Sequence, residues 1–339
     1  MTIDRLTKAP GSRRDVLKTL TGLAAGAAAW ALPASSVNAQ AAYPNKLVRI
    51  VVGFPAGGPS DLAARVLAEQ LSRTLGQTFM IENRAGANAT IATEAVSRAT
   101  PDGYTLLMAA GNHTINPALY TNLKFDTEKA FSPVAISAVS PNVLVVNSAF
   151  PARTLAEFLK VVRAAPGKYT YGSSGNGGTV HLAGEIFKSV TKTFIVHVPY
   201  RGAAPALTDL LGGQIDMSFA SLGSVLPQIR SGRLHAIAMA SQTRSVLMPE
   251  VPTFVESGLK NCNMETWYGL LAPAGTPSAI VDLLGAAIAK TPGATGVREK
   301  LASAGIDATY VGPDAFTRQI QSELALYAKV VRENHLTID

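Results

Sequence analysis

Along this chain short apolar runs give way to glycine-rich gaps, and each gap is followed by a stretch whose apolar residues recur three or four positions apart. Residues 47–54 form the first run, interrupted only by Arg49 and Gly53, and open into Pro55-Ala56-Gly57-Gly58-Pro59-Ser60-Asp61. Leu62, Val66, Leu67, Leu71 and Leu75 then fall on one face of a 3.6-residue period, which predicts an amphipathic helix starting at Ser60 or Asp61. Residues 79–81 read as the next strand, 91–99 as a helix, Pro101-Asp102-Gly103 as a turn and 104–108 as a third strand. Such alternation predicts a parallel sheet covered by helices on both faces.

The pattern restarts after Pro141, with a strand over 142–147 and a helix over 155–164. A second glycine loop, Gly172-Ser173-Ser174-Gly175-Asn176-Gly177-Gly178-Thr179, follows the run 169–171 and precedes a helix over about 180–190. Gly57 and Gly177 stand 120 positions apart, so strand, glycine loop and helix occur once in each half. Further alternation runs through 194–198, 204–211, 215–219, 225–229 and 234–239. A strand over 267–271, helices near 279–290 and 296–304, a strand near 307–311 and a long helix from Pro313 complete the chain. The expected division is 43–143 plus 266–339 as one domain and 144–265 as the other, with crossings near 141–147 and 264–272.

Residues 1–41 read as a leader: Arg5, Lys8, Arg13, Arg14 and Lys18 precede an Ala/Gly-rich run too short to span a bilayer. Ser12-Arg13-Arg14-Asp15-Val16-Leu17-Lys18 matches the twin-arginine export pattern, with Val16 where Phe is common, and the general secretory route is the alternative. Cleavage after Ala39 or Ala41 would start the mature protein near Tyr43. The leader holds three of the seven net positive charges, so the body is only mildly basic. No Lys/Arg cluster with interleaved aromatics follows, and no nucleic-acid partner is expected. Cys262 is the only cysteine, which excludes an intrachain disulfide.

A glycine loop that ends a strand and opens a helix points unpaired N–H groups outward at the positive end of the helix dipole, and so takes an anion without a cationic side chain. The hydroxyls of Ser60, Ser173, Ser174 and Thr179 add donors. Neither loop is followed by the lysine of a phosphate-binding P-loop, and neither has dinucleotide-fingerprint spacing, so ATP and NAD sites are disfavoured. His113 and His197 lack ligand partners at metal spacing, and neither metal nor cofactor is expected. His181 reads as a capping or packing residue, and Trp267 and Tyr268 as strand packing.

Phe54-Pro55-Ala56-Gly57-Gly58-Pro59-Ser60-Asp61, Glu82-Asn83-Arg84-Ala85-Gly86 and Pro101-Asp102-Gly103-Tyr104-Thr105-Leu106 closely resemble the Bug family, the periplasmic receptors of tripartite tricarboxylate transporters. Asn116-Pro117-Ala118-Leu119-Tyr120, His181-Leu182-Ala183-Gly184-Glu185, Pro199-Tyr200-Arg201-Gly202, Gly213-Gln214-Ile215-Asp216 and Ala272-Pro273-Ala274-Gly275-Thr276-Pro277 extend the resemblance over the mature chain. The resemblance implies an α/β, type II periplasmic-binding-protein fold: two doubly wound domains joined by two crossover strands, with a ligand cleft between them. It implies a monomeric periplasmic receptor that closes on a small organic acid, does no covalent chemistry and serves a membrane permease of the tripartite type. The expected ligand-binding set is Phe54, Ala56, Gly57, Gly58, Ser60, Asp61 and Asn112 on one wall and Ser174, Gly177, Gly178, Thr179, Arg201 and Asp216 on the other. The chain departs from the family pattern at Ala85, Asn88 and Ala89, where a glycine-rich run is usual, and at Gly178, where Thr or Ser is common. A sensory partner of a signalling protein and an enzyme acting on a carboxylate are the alternative functions.

Overall fold

The computed structural model describes residues 43–339 except Arg201, Lys260, Asn261, Asn263, Asn334, His335 and 337–339. The expected leader over 1–41 and the expected ligand residue Arg201 thus lie outside the described residues. The first sheet collects β1 (Val48–Val52), β2 (Phe79–Asn83), β3 (Thr105–Ala110) and β4 (Phe131–Ser140), with helices α1 (Pro59–Leu75), α2 (Thr90–Ser97) and α3 (Asn112–Leu119). The chain then enters a second sheet made of β5 (Asn142–Asn147), β6 (Thr170–Ser173), β7 (Val196–Pro199), β8 (Met217–Ser221) and β9 (Leu234–Met239). Its helices are α4 (Leu155–Ala164), α5 (Thr179–Thr191), α6 (Ala203–Leu211) and α7 (Leu222–Arg230). β10 (Thr266–Pro273) returns to the first sheet, followed by α8 (Ser278–Ala289), α9 (Val297–Ala302), β11 (Asp307–Val311) and α10 (Pro313–Glu333).

The strand orders are β11-β4-β10-β3-β1-β2 and β7-β6-β8-β5-β9. Both sheets are mixed, which corrects the expectation of parallel ones. β1 runs parallel to β2 and β3, and β6 to β7 and β8, as helical crossovers require. β10 is antiparallel to β3 and β4, and β5 to β8 and β9. These are the strands that arrive from the other sheet, so no right-handed strand–helix–strand unit dictates their direction. β4 had no counterpart in the hydrophobic reading, because Pro133 and several small polar residues break its apolar run. A proline is tolerated in that interior strand because the β10 register shifts between Leu270 and Leu271, opposite Pro133.

Local signals set the helix ends. α1 begins with Pro59 in its first turn and ends at Gly76, which adopts φ 71° and returns its N–H to the Ser72 carbonyl. α4 carries a capping box between Thr154 and Glu157. α10 belongs to two cores: Phe316 and Ile320 pack with the fully buried Trp267 against the first sheet, whereas Tyr327, Val330 and Val331 complete the core of the second. Trp267 donates from Nε1 to Glu323 Oε2 at 2.9 Å, so the same helix also satisfies the indole's polar group.

Candidate functional site

Each sheet presents a glycine corner at the carboxyl end of a strand, and the two corners are near copies. Gly57 and Gly177 take left-handed φ of 84° and 73°. Gly58 and Gly178, which cap α1 and α5, are extended at φ −81°, ψ 172° and φ −79°, ψ 165°. The N–H of Gly57 donates to Asp61 Oδ2 at 2.9 Å, and the N–H of Gly177 donates to His181 Nδ1 at 3.1 Å. In both corners a side chain four residues onward thus fixes the left-handed glycine. Neither cap residue uses a side chain on its helix end, so the first-turn N–H groups remain for a ligand.

Asp61 is 2 % exposed, and Arg65 Nε at 2.8 Å and Asn83 Nδ2 at 2.9 Å also donate to it. Burial works to raise its pKa, but the bonds from Arg65, Gly57 and Asn83 outweigh it and hold the carboxyl below its ordinary range. Asn83 Nδ2 donates to the Phe54 carbonyl at 3.0 Å as well, which ties the loop to β2. Asp61 therefore shapes the first corner through its internal bonds.

His181 does the same for the second corner. Burial lowers its pKa, which keeps Nδ1 unprotonated and able to accept from Gly177. Its ring stacks on His197 with centroids 4.0 Å apart. Beyond it Glu185 accepts from Tyr171 Oη at 2.6 Å and from Lys188 Nζ at 2.8 and 2.9 Å. His181→Ala should weaken ligand binding about tenfold, the worth of roughly one hydrogen bond. His181→Asp should keep wild-type affinity by repeating the Asp61 arrangement, and titration calorimetry of both variants separates loop shaping from packing alone.

Ser173 Oγ and His197 Nε2 lie 2.7 Å apart, the spacing of a nucleophile and its base. Ser173 is, however, 1 % exposed, and its hydroxyl also bonds the backbone of Gly175. Burial drives His197 down to about 4, which makes it a weak base at neutral pH. The pair shapes the second loop, and neither residue lines the cavity between the sheets.

A cavity of about 380 Å3 lies between the sheets. The first-sheet side supplies Pro59 and Ala304; the second supplies Ser174, Thr179, Ser221 and the α6 face, among others. Residues from the first turns of α1, α5, α6 and α7 all border it, so positive helix ends converge on one space. Among the described residues lining it, none carries a charge. The walls meet closely beside it: Thr179 Oγ1 and Thr266 Oγ1 are 3.1 Å apart, and Gly223 of α7 packs against the backbone of Ala304 and Gly305.

Of the expected ligand residues, Ser174 and Thr179 line the cavity directly. Gly177 and Gly178 form the corner between them, while Phe54, Ala56, Gly57, Gly58 and Ser60 form the facing corner, which reaches the cavity through Pro59. Asn112 is buried at the start of α3, where Nδ2 donates to the Asn88 carbonyl at 2.6 Å. Asn88 and Ala89, two of the departures from the glycine-rich run, take left-handed φ, as does Ala87. Asp216 corrects its expectation. It precedes β8 at the end remote from Ser221, and its Oδ2 accepts from the Thr170 N–H at 2.8 Å and Oγ1 at 3.1 Å. It joins the far ends of β6 and β8 and does not face the cavity.

The site also contains what the sequence reading passed over. Ala203, Ala206, Leu207 and Leu210 line the cavity from α6, which the sequence reading placed over 204–211 with no role in binding. Ser221-Leu222-Gly223-Ser224 forms a third strand-to-helix corner, and its small residues after an apolar run were the available signal.

Residues 63–336 match the sequence profile of the tripartite tricarboxylate transporter family receptor. The protein BugT of Bordetella pertussis is 34% identical over 293 residues, covering 86% of this chain and 90% of BugT. Among solved structures, an R. palustris protein with adipate is 32% identical with a TM-score of 0.71, covering 87% of this chain and 99% of that one. MatC of Rhodopseudomonas palustris with bound malate is 32% identical with a TM-score of 0.67, covering 85% of this chain and 100% of its own.

Proposed function

Because this chain belongs to the tripartite tricarboxylate transporter receptors, a family of periplasmic solute-binding proteins, we propose that it captures a small organic carboxylate between its two sheets and delivers it to a membrane permease. One observation carries the reading: two matched glycine corners aim helix N-termini into a cavity with no charged side chain among its described lining residues. An anion there is held by backbone N–H groups and hydroxyls, each charge-assisted bond contributing about 1.5–3 kcal/mol. The adipate and malate held by relatives support a carboxylate as that anion.

In this role the chain works as a binding protein without covalent chemistry, exported as a monomer to the periplasm after loss of its leader. Residues 43–143 plus 266–339 form one moving body and 144–265 the other, except that the end of α10, Tyr327 to Val331, packs in the core of the second. The ligand contacts are the two corners, Phe54 to Ser60 and Ser174 to Thr179, with Asp61 and His181 as their internal supports. The closed form is what the permease reads.

Melting temperature tests the anion claim. A carboxylic acid at about 100 times its dissociation constant should add about 2.7 kcal/mol, roughly a 5 °C rise, while its carboxamide should add almost nothing. A panel of organic acids in which none shifts the melt, or in which amides act equally, would remove the carboxylate from the reading. Conversion of any acid to product would restore the enzymatic alternative.

A further inference from the structure

We propose that ligand binding is proton-linked through the second glycine corner: on acidification His181 takes up a proton, the bond that shapes the corner breaks, and the carboxylate is released. The release rests on the carboxylate reading of the cavity; the switch within the corner does not. The two corners match in backbone and differ in the acceptor that holds them. Gly57 gives its N–H to a carboxylate oxygen of Asp61, whereas Gly177 gives its N–H to Nδ1 of His181. A neutral imidazole has one acceptor nitrogen and an imidazolium has none, so no rotation of a protonated ring restores the second bond. Two donors would face each other across 3.1 Å, and the left-handed Gly177 would lose the contact that fixes it. Asp61 stays an acceptor over the same pH range, because its bonds outweigh burial and hold it ionised below the ordinary carboxylate range.

His181 is 4 % exposed, and the groups around it decide when the proton arrives. Burial lowers its pKa; Glu185, with Oε1 3.9 Å from Nε2, works the other way, and Lys188, which bridges Glu185, works with burial. From β7 the His197 ring stacks on it at 4.0 Å, and from β6 Tyr171 donates to Glu185 at 2.6 Å. Burial, with the His181 ring beside it, lowers His197 to about 4, so His197 stays neutral above that value. The neutral ring that accepts at Nδ1 carries its proton on Nε2, toward Glu185, so the incoming proton goes to Nδ1 and its charge is countered by that carboxylate. A ligand that needs the shaped corner binds the neutral ring, and by linkage protons and ligand oppose one another. Affinity is therefore full above the His181 pKa and falls as pH drops through it.

Nitrogen-15 NMR of the mature protein from pH 7.5 to 4.5 tests the switch without ligand. The Gly177 amide signal should move with the same midpoint as the His181 ring, while the Gly57 amide, bonded to Asp61, should stay. A Gly177 amide that stays while the ring titrates, or a His181 ring still neutral at pH 4.5, overturns the inference. Calorimetry with adipate and malate over the same range tests the release. Both acids take up protons there themselves, so affinities are read against His181→Asn, with each protein normalised to its own value at pH 7.5. The asparagine oxygen stands as many bonds from the backbone as Nδ1 and does not titrate. Between pH 7.5 and 4.5 the wild type should lose roughly three- to tenfold more than the variant, the upper figure being about the worth of one hydrogen bond. Equal losses in both proteins, or a wild type that binds more tightly in acid because the imidazolium attracts the anion, overturn the inference. If neither acid nor any other carboxylate of the melting panel binds at pH 7.5, the carboxylate reading fails, and the amide titration still decides whether the corner switches.

Discussion

Gly223→Val is expected to weaken ligand binding at least 100-fold while leaving a folded protein. Gly223 sits in the first turn of α7 on the second sheet, yet a Cβ there would lie 2.7 Å from the Ala304 carbonyl carbon and 3.1 Å from Gly305 Cα. Both are backbone atoms of the connection between α9 and β11, so no side chain can rotate away. Gly305 is constrained in return, since its φ of 68° is left-handed and its own Cβ would strike the Gly223 backbone. A valine at 223 acts as a wedge exactly where the two sheets meet beside the cavity, and separates the facing corners by more than a hydrogen bond can stretch. Its helix is unharmed, because valine at a helical φ costs no more than glycine does. Calorimetry should show the loss of affinity, a circular dichroism melt should stay near wild type, and solution scattering should show a larger radius of gyration. Gly223→Ala should fall between. Wild-type affinity in the valine variant would mean that this contact has no part in the bound form.

Lys188→Met should cost about 3 kcal/mol of stability at pH 7.5, the scale expected when one partner of a buried ion pair is removed. Glu185 is 4 % exposed, and Lys188 bridges both its oxygens. In the wild type burial pushes the Glu185 pKa up, but the bonds from Lys188 and Tyr171 outweigh it and the net shift is downward. A carboxyl held below its unfolded value contributes stability above that value and loses it as pH falls through the lower folded one. Without the ammonium the sign reverses: burial then favours the protonated acid, and stability should recover as pH is lowered toward 5.5. His181 faces the same carboxylate, with Nε2 3.9 Å from Glu185 Oε1, while His197 stacks on the far side of His181. Loss of Lys188 should therefore also raise the His181 pKa and loosen the Gly177 bond at mildly acidic pH. Urea unfolding at pH 7.5 and 5.5 measures the effect, and an equal deficit at both values would assign Lys188 to packing alone.

The parts of this molecule that were legible in its residues are those whose cause is local. Glycine at 57 and 177 supplies a left-handed turn, the following residues open a helix, and unpaired N–H groups result wherever that happens. The alternation of strands and helices was legible for the same reason, and resemblance to known receptors tied it to a fold. What was not legible depends on pairing across the chain. The antiparallel directions of β5 and β10 follow from which sheet each strand joins, and β4 hides its interior position behind Pro133. Asp216 looked like a cleft acid because its neighbours match a family motif, but the β6–β8 register puts it beside Thr170. The stripe on α6 carries the periodicity of any core helix, and only the empty space before it distinguishes a ligand wall from packing.

The two attachments of α10 bear on when the protein can first exist. Tyr327, Val330 and Val331 belong to the same core as Ile115, Leu144 and Phe254, so residues made earlier wait for side chains made much later. During synthesis the second sheet lacks one wall until those residues leave the ribosome, and contacts across such long separations form slowly. A chaperone or export machine that meets the nascent chain before Tyr327, Val330 and Val331 are made meets it with that wall open.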